Sequence, residues 1–283
     1  MTKITVKKTN IDKIKNYVFL KNQYNINIYQ LHNSYHLGDS IFNFIFFYLI
    51  KDYIEKNNIK IFYYAKKEYL TQLKEFICSK NIFLSSLENK PSISNELWID
   101  NPYFDVAFSK QKFPVDYNKY YKIFFNSVLK KLNINISIHK FFYEDYDLIN
   151  RYNIINNKYK HLDILIVNSQ PCSGQYNYNK QEWDTYILML SAIFKIVTTS
   201  KVQDLICTTD DNLTVKDIGA ISTSVKVIIA INSGVVPALL NIYTLKNINK
   251  VYILDNRCYY SYPNFENKNV ITDISIGELK KYI

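Results

Sequence analysis

The sequence predicts an α/β protein in two halves, each built on a mostly parallel sheet. Three observations carry that reading. Short apolar runs alternate with longer helical patterns, the alternation restarts after a polar, Asn-rich stretch, and three of the five glycines fall between strand and helix patterns. Alternating strands and helices require right-handed crossovers and hence parallel pairing.

Each element follows from its period and its boundaries. In the first half, "NINIYQLH" reads as a strand, "SIFNFIFFYLIKDYIEKN" as one helix and "IKIFYYAK" as a strand. "EYLTQLKEFICSK" follows as a helix, "NIFLSSL" and "ELWID" as strands, and "YYKIFFNSVLKKL" as another helix. After "DLINRYNIINNKYKH" the pattern begins again with the buried strand "LDILIVNS" and the helix "KQEWDTYILMLSAIFK". "IVTTS" and "LICTT" are short strands, "TVKDIGAIST" a helix, "VKVIIAIN" a strand, "VVPALLNIYTLK" one helix, "KVYILD" a strand and "SIGELKKYI" a short helix. The domains expected are residues 1–156 and 157–283.

Composition narrows the function classes. At 283 residues with 48% hydrophobic and 21% charged residues, the chain can bury a large core and is not mainly disordered. Its 26 Tyr and 17 Phe, with abundant Asn, Lys and Ile, share A/T-rich codons, so the tyrosines by themselves say little about binding. The net charge of +10 favours anionic partners, whether nucleic acid, anionic lipid or a nucleotide diphosphate. The lysines are scattered, and no polyanion-binding arm stands out. Cys78, Cys172, Cys207 and Cys258 form no CxxC or Cys/His cluster, which argues against a zinc site and for a reducing compartment. The N-terminus lacks a signal-peptide pattern, and no apolar run is long and uninterrupted enough to span a bilayer. A soluble, cytoplasmic protein is expected, with peripheral attachment to a membrane surface left open.

Of the five glycines, Gly38, Gly174 and Gly234 follow predicted strands and precede predicted helices. In a parallel sheet that is the carboxyl edge, where ligands bind because loops and helix N-termini converge there. A strand-to-helix turn can also want Gly merely for positive φ. In "YHLGDSIFNFIFF", Asp39 or Ser40 can cap the helix. One cap suffices, and with Ser40 as the cap, Asp39 becomes a candidate general base. His36 is placed to bind an acceptor or tune Asp39, or is simply a polar loop residue. In "IAINSGVVPALL", the backbone N–H groups of Ser233, Gly234 and Val235 and the Ser233 hydroxyl suit a phosphate at a helix start fixed by Pro237, with Asn232 orienting the loop. Neither GxxxxGK[ST] nor GxGxxG occurs, which disfavours a P-loop ATPase and a nicotinamide enzyme.

These stretches resemble a family, the GT-B glycosyltransferases of the heptosyltransferase type (glycosyltransferase family 9). Three features carry the resemblance in order: the "GD" before an apolar helix in "YHLGDSIFNFIFF", the strand, polar loop and Trp-bearing helix of "ILIVNSQPCSGQYNYNKQEWDTYILML", and the small-residue loop of "TVKDIGAISTSVKVIIAINSGVVPALL". The resemblance implies two Rossmann-like domains facing across a cleft (GT-B). It implies inverting transfer from a nucleotide-diphosphate sugar held by the C-terminal half to a hydroxyl of a glycan or glycolipid presented by the N-terminal half. Asp39 would be the base, Gly38 would admit the acceptor, His36 and Ser40 would lie beside it, and Ser233 and Gly234 would meet the phosphates, with Asn232 orienting their loop on the donor side. Lys180 is the nearest match to the family's phosphate-holding lysine. The sequence departs from the family in having Val236 and Pro237 where a histidine is usual. No metal and no cofactor beyond the donor is expected, since positive helix ends and lysines can steady the leaving group.

Other groups have plainer readings. Trp183 lies at helical spacing with Ile187 and Leu190 and reads as core; His139 and His161 read as surface. Asp145 and Asp147 form a DxD such as metal-dependent glycosyltransferases use, in what looks like a solvated linker; this is the alternative enzyme reading. Asp210 and Asp211 read as a turn or cap. A basic nucleic-acid-binding protein without catalysis is the remaining alternative, although no RRM, KH, zinc-finger or helix-turn-helix signature supports it and no nucleic acid is expected as a partner.

Overall fold

The computed structural model describes residues 27–90, 96–99, 115–139, 157–172, 174–256, 260–261, 270–272 and 274–283. The chain divides into two compact units. Of the described residues, the first holds those up to 99 and 128–135, and the second holds 115–127 and those from 136 onward. Every strand pairing among the described residues is parallel, as the alternation predicts.

The first unit contains β1 (Ile28–His32), α1 (Leu37–Leu49), α2 (Lys51–Lys56), β2 (Lys60–Ala65), α3 (Leu70–Lys74), β3 (Ile82–Ser86) and β4 (Glu96–Trp98). The strands lie in the order β3-β2-β1-β4. Eight consecutive residues of α1, Ser40 to Phe47, are buried, as expected of a helix apolar all round. Phe44 and Phe47 meet Tyr63 of β2 edge-on, with centroids 5.2 and 5.5 Å away. The single helix expected over 40–57 is two: α1 starts earlier, at Leu37, and the helical run is interrupted at Ile50. The helix expected from Glu68 is reduced to a short 3₁₀ turn and the five residues of α3.

The second unit contains β5 (Val115–Asp116), β6 (Ile164–Val167), α5 (Lys180–Ser191), β7 (Ile196–Thr198), β8 (Ile206–Cys207), α6 (Val215–Ser222) and β9 (Val227–Ile231). It continues with α7 (Val236–Leu239), α8 (Ile242–Asn247), β10 (Lys250–Leu254), β11 (Tyr260–Ser261), β12 (Val270–Thr272) and α9 (Ile276–Leu279). A fifteen-residue helix, α4 (Tyr117–Lys131), is divided between the two units after Ser127. Strand order in the main sheet is β12-β10-β9-β6-β7-β8, and β5 pairs separately with β11. Counted from β6, that is the 3-2-1-4-5-6 order of a doubly wound nucleotide-binding sheet read from its other edge.

The strands of this sheet are apolar throughout because both faces are covered. Leu165, Val167, Ile228, Ala230, Val251 and Ile253 face α6, α7 and α8. The alternate residues Ile164, Ile166, Ile229, Ile231, Tyr252 and Leu254 face α5 and α9. Trp183 is fully buried on that second face, edge-on to Tyr176 at 6.1 Å, and is the core residue its spacing predicted. The helix expected over 235–246 is broken into α7 and α8 at Asn241. Its side chain accepts from Thr244 N–H at 2.8 Å and donates to Ala238 O at 2.9 Å, so one amide ends one helix and caps the next.

Left-handed backbone, usually left to glycine, falls at three of its six described positions to asparagine. Asn58 (φ 48°) and Asn133 (φ 54°) follow the ends of α2 and α4. Each sits in a Schellman pair, with Ile59 N–H to Ile54 O at 2.9 Å and Ile134 N–H to Leu129 O at 2.9 Å closing the wider ring. Asn tolerates this region better than other non-glycine residues because its short amide bonds locally. Asn133→Ala is therefore expected to lower stability by about 1 kcal/mol and Asn133→Gly to preserve or raise it, read from urea midpoints.

The buried phenol of Tyr186 on α5 has no hydrogen-bond partner among the described residues, and burial pushes its pKa up to about 12, with Tyr252 adding to the shift. An unfolded tyrosine ionises near about 10, so the folded form retains a proton the unfolded form loses, and stability falls as pH rises from about 10 towards 12. Tyr186→Phe is expected to flatten that alkaline decline and to add about 1 kcal/mol at neutral pH, measured by urea unfolding at about pH 7 and about pH 11.

Candidate functional site

In each of the two larger sheets the strand earliest in the chain, β1 in one and β6 in the other, lies inside the sheet, so the chain must reverse its winding beside it. The carboxyl ends of β1 and β4 in one unit, and of β6 and β9 in the other, are the switch points where ligands bind in such sheets. The two candidate loops stand at those ends.

In the first unit, residues 33–36 join β1 to α1. Asn33, 1% exposed, accepts from Tyr35 N–H through Oδ1 at 2.9 Å and donates through Nδ2 to Ile99 O at 3.3 Å, just beyond β4. The first contact makes a tight side-chain turn, and the second ties it to the neighbouring strand. From beneath, Asn43 of α1 donates to Ile99 O at 3.0 Å and to Tyr63 Oη at 2.9 Å. The start of the loop is thus held by one buried amide, and the carbonyl it donates to is shared with a second.

The predicted residues occupy this loop and the turn after it, with their structural roles redistributed. His36, not Asp39 or Ser40, is the N-cap residue of α1; its backbone is extended (φ −111°, ψ 162°), and its side chain makes no capping bond. The first intrahelical bond runs from Ser40 N–H to His36 O at 3.2 Å. Gly38 is helical, and its φ is not positive, so a left-handed turn is not the reason for glycine there. Asp39 lies half-buried in the first turn, where the helix N-terminus favours a carboxylate. Ser40 is 1% exposed, and its Oγ has no partner among the described residues. Lys90 Nζ comes to 3.5 Å from His32 Nδ1 at the end of β1.

In the second unit, Asn232, Ser233, Gly234 and Val235 join β9 to α7. Ser233 Oγ is buried without a partner among the described residues. Among the described residues no acceptor is recorded for the N–H groups of Ser233, Gly234 and Val235, whereas Val236 N–H returns to Ser233 O at 3.1 Å. Pro237 sits at the helix start as expected. The helix has only four residues, so the dipole anticipated for it amounts to one turn, and local N–H and hydroxyl groups dominate. Gly234 has no positive φ; of the three loop glycines only Gly174 (φ 64°) does. Lys180 opens α5, exposed, with its ammonium on Asp184 at 2.5 Å, and that hydrogen bond raises its pKa.

Sequence reasoning passed over several polar residues at the same edge. Asn168, fully buried after β6, accepts from Thr199 N–H at 3.1 Å and Ser200 N–H at 2.8 Å, and Ser169 Oγ lies 3.0 Å from Thr199 Oγ1. Asp255, after β10, accepts from Asn232 Nδ2 at 2.5 Å. An asparagine or aspartate directly after an apolar strand was the available signal; its partners, tens of residues distant, were not. Asp210 and Asp211 are turn residues, paired with Lys201 and Lys158, and His139 and His161 are exposed. Asp145 and Asp147 lie outside the described residues, among which no group of three or more His, Cys, Asp or Glu is placed to hold a metal ion.

No family model matches the sequence, and no curated protein matches it. Solved structures do. The chain is similar to the E. coli heptosyltransferase WaaC with ADP, with a TM-score of 0.55 and 7% identity over 90% of this chain and 96% of that one. It is similar to the same enzyme with ADP-2-deoxy-2-fluoro heptose, with a TM-score of 0.52 and 7% identity over 90% and 98%. The likeness is one of fold, and it is the GT-B-type fold that the sequence resemblance implied.

Because Asn43 donates both bonds under the first loop, Asn43→Ala is expected to cost about 1–3 kcal/mol. It should also speed amide exchange at residues 33–36, as read by mass spectrometry.

Proposed function

We propose that this protein is an inverting, metal-independent glycosyltransferase. It moves a hexosyl- or heptosyl-type sugar from a nucleotide diphosphate to a hydroxyl of a glycan or glycolipid. One observation carries the reading: a chain with the fold of a heptosyltransferase has a carboxylate, Asp39, on the opening turn of a helix at one switch point and, at the other, a buried hydroxyl, Ser233 Oγ, with no partner among the described residues. That WaaC is seen with ADP and with an ADP-heptose analogue supports a nucleoside diphosphate sugar as donor.

In this reading the first unit supplies the base and the second holds the donor. The acceptor oxygen attacks the anomeric carbon and gives its proton to the Asp39 carboxylate. The bond from that carbon to the diphosphate oxygen breaks, and its electron pair leaves with the nucleoside diphosphate. The charge growing on the departing phosphate is met by Ser233 Oγ–H and by the N–H groups of Ser233, Gly234 and Val235. Lys180 joins them if the diphosphate draws it from Asp184. Gly38, without a side chain, lets the acceptor approach the helix start, and His36 binds it. Attack opposite to the leaving group inverts the configuration. The cytoplasm is the expected location, with the acceptor able to bring the enzyme to a membrane surface; among the described residues no helix is long and apolar enough to cross one.

Thermal shift against UDP, GDP, ADP, CDP and dTDP tests the donor. A nucleotide at about 100 times its Kd adds about 2.7 kcal/mol, and Gly234→Val should abolish the shift of whichever nucleotide binds. Asp39→Asn should lower kcat for sugar transfer by a factor of about 10²–10⁴ while leaving nucleotide affinity unchanged. Wild-type turnover by that variant would remove Asp39 from the role.

A further inference from the structure

The loop after β9 and the loop after β6 are fastened to adjacent residues at the carboxyl end of β10, the first to Asp255 and the second to Asn256. Asp255, 6% exposed, takes the Asn232 amide at 2.5 Å, and Asn232 N–H donates to Leu254 O at 2.9 Å. Its neighbour Asn256 donates its N–H to Gln175 O at 2.8 Å and accepts from Asn177 N–H through Oδ1 at 2.8 Å. The strand order places β9 between β6 and β10. The segment leaving Val167 must therefore pass β9 to reach residues 175–177 before it enters α5 at Lys180. One end of this segment is held by Asn168, and the left-handed Gly174 lies within it.

We infer that Asp255 and Asn256 are positioning residues. Together they hold the Asn232–Val235 loop and the 175–180 segment at a fixed spacing, and so preorganise the two sides of the nucleoside diphosphate site. The inference rests on the reading of that edge as the donor site. Neither residue is required to touch the ligand: Asp255 acts through Asn232, and Asn256 acts through the backbone of Gln175 and Asn177. Its physical content is a lowered ordering cost. The described residues of the 168–179 connection gain no ladder hydrogen bonds of their own, so without the tether a ligand would have to order them on binding.

The experiment uses the full chain and, as probe, the nucleoside diphosphate that binds best among ADP, UDP, GDP, CDP and dTDP, with affinity measured by calorimetry well below the melting temperature. Asp255→Ala and Asn256→Ala should each weaken binding by about tenfold. Asp255→Asn and Asn256→Asp keep an oxygen acceptor for Asn232 Nδ2 and Asn177 N–H, and should restore affinity to within about threefold of wild type. That rescue separates positioning from general stability; should Asn256→Ala not fold, Asn256→Asp compared with Asn177→Pro, which removes the donor N–H, reads the same tether, and should Asp255→Ala not fold, Asp255→Asn compared with Asn232→Ala, which removes the donor amide, reads the other. Wild-type affinity in the folded alanine variants, or conservative variants as weak as the alanine ones, overturns the inference and leaves the donor-site reading intact. Absence of binding to all five nucleotides by the wild-type chain overturns both.

Discussion

Parallel strands cannot be joined by a tight hairpin; every connection has to cross a face of the sheet. When the strand of a sheet that comes earliest in the chain lies inside that sheet, the connections on its two sides leave toward opposite faces, and the carboxyl end of that strand is left open between them. The orders β3-β2-β1-β4 and β12-β10-β9-β6-β7-β8 impose this twice. Much of what was found at the candidate loops follows from how the chain finishes those ends. Both first strands are followed at once by a buried asparagine, Asn33 after β1 and Asn168 after β6. Each amide staples its own loop to the chain beyond an adjacent strand, Asn33 to Ile99 beyond β4 and Asn168 to Ser200 beyond β7.

Asparagine performs several tasks in this chain that other proteins divide among glycine, serine and threonine. It takes the left-handed position after α2 and α4, caps α5 through Asn179 and α8 through Asn241, and ties loops at Asn33, Asn43, Asn168 and Asn256. A primary amide can do this because it carries donors and an acceptor on a short stem and tolerates positive φ. The A/T-rich composition that makes asparagine abundant therefore has a structural counterpart. A chain with five glycines still ends its helices properly.

The two candidate loops differ in how they present charge. The first puts a carboxylate on the opening turn of a long, buried helix, which holds it on a rigid support. The second opens a helix of only four residues, so the local hydroxyl, backbone N–H groups and the fastening from β10 matter more than any macrodipole. Lys180, at the start of α5, is engaged by Asp184. An anion at this edge would be held chiefly by aimed dipoles, which suits a polyphosphate approaching the backbone closely.

The sequence by itself determined the α/β class, the parallel pairing, most strand positions and the burial of Trp183, because these depend on periodicity and on runs of apolar residues that act locally. It also located both loops, since a glycine between a strand pattern and a helix pattern marks the sheet edge whatever its φ. Only the tertiary structure decided that His36 rather than Ser40 opens α1, that Asn241 divides one helical pattern into two, and that Asp255 and Asn256 fasten loops whose other ends lie 23 and 79 residues away. Such bonds join groups that no local period relates. They exist only after the strand order has brought β10, β9 and β6 side by side.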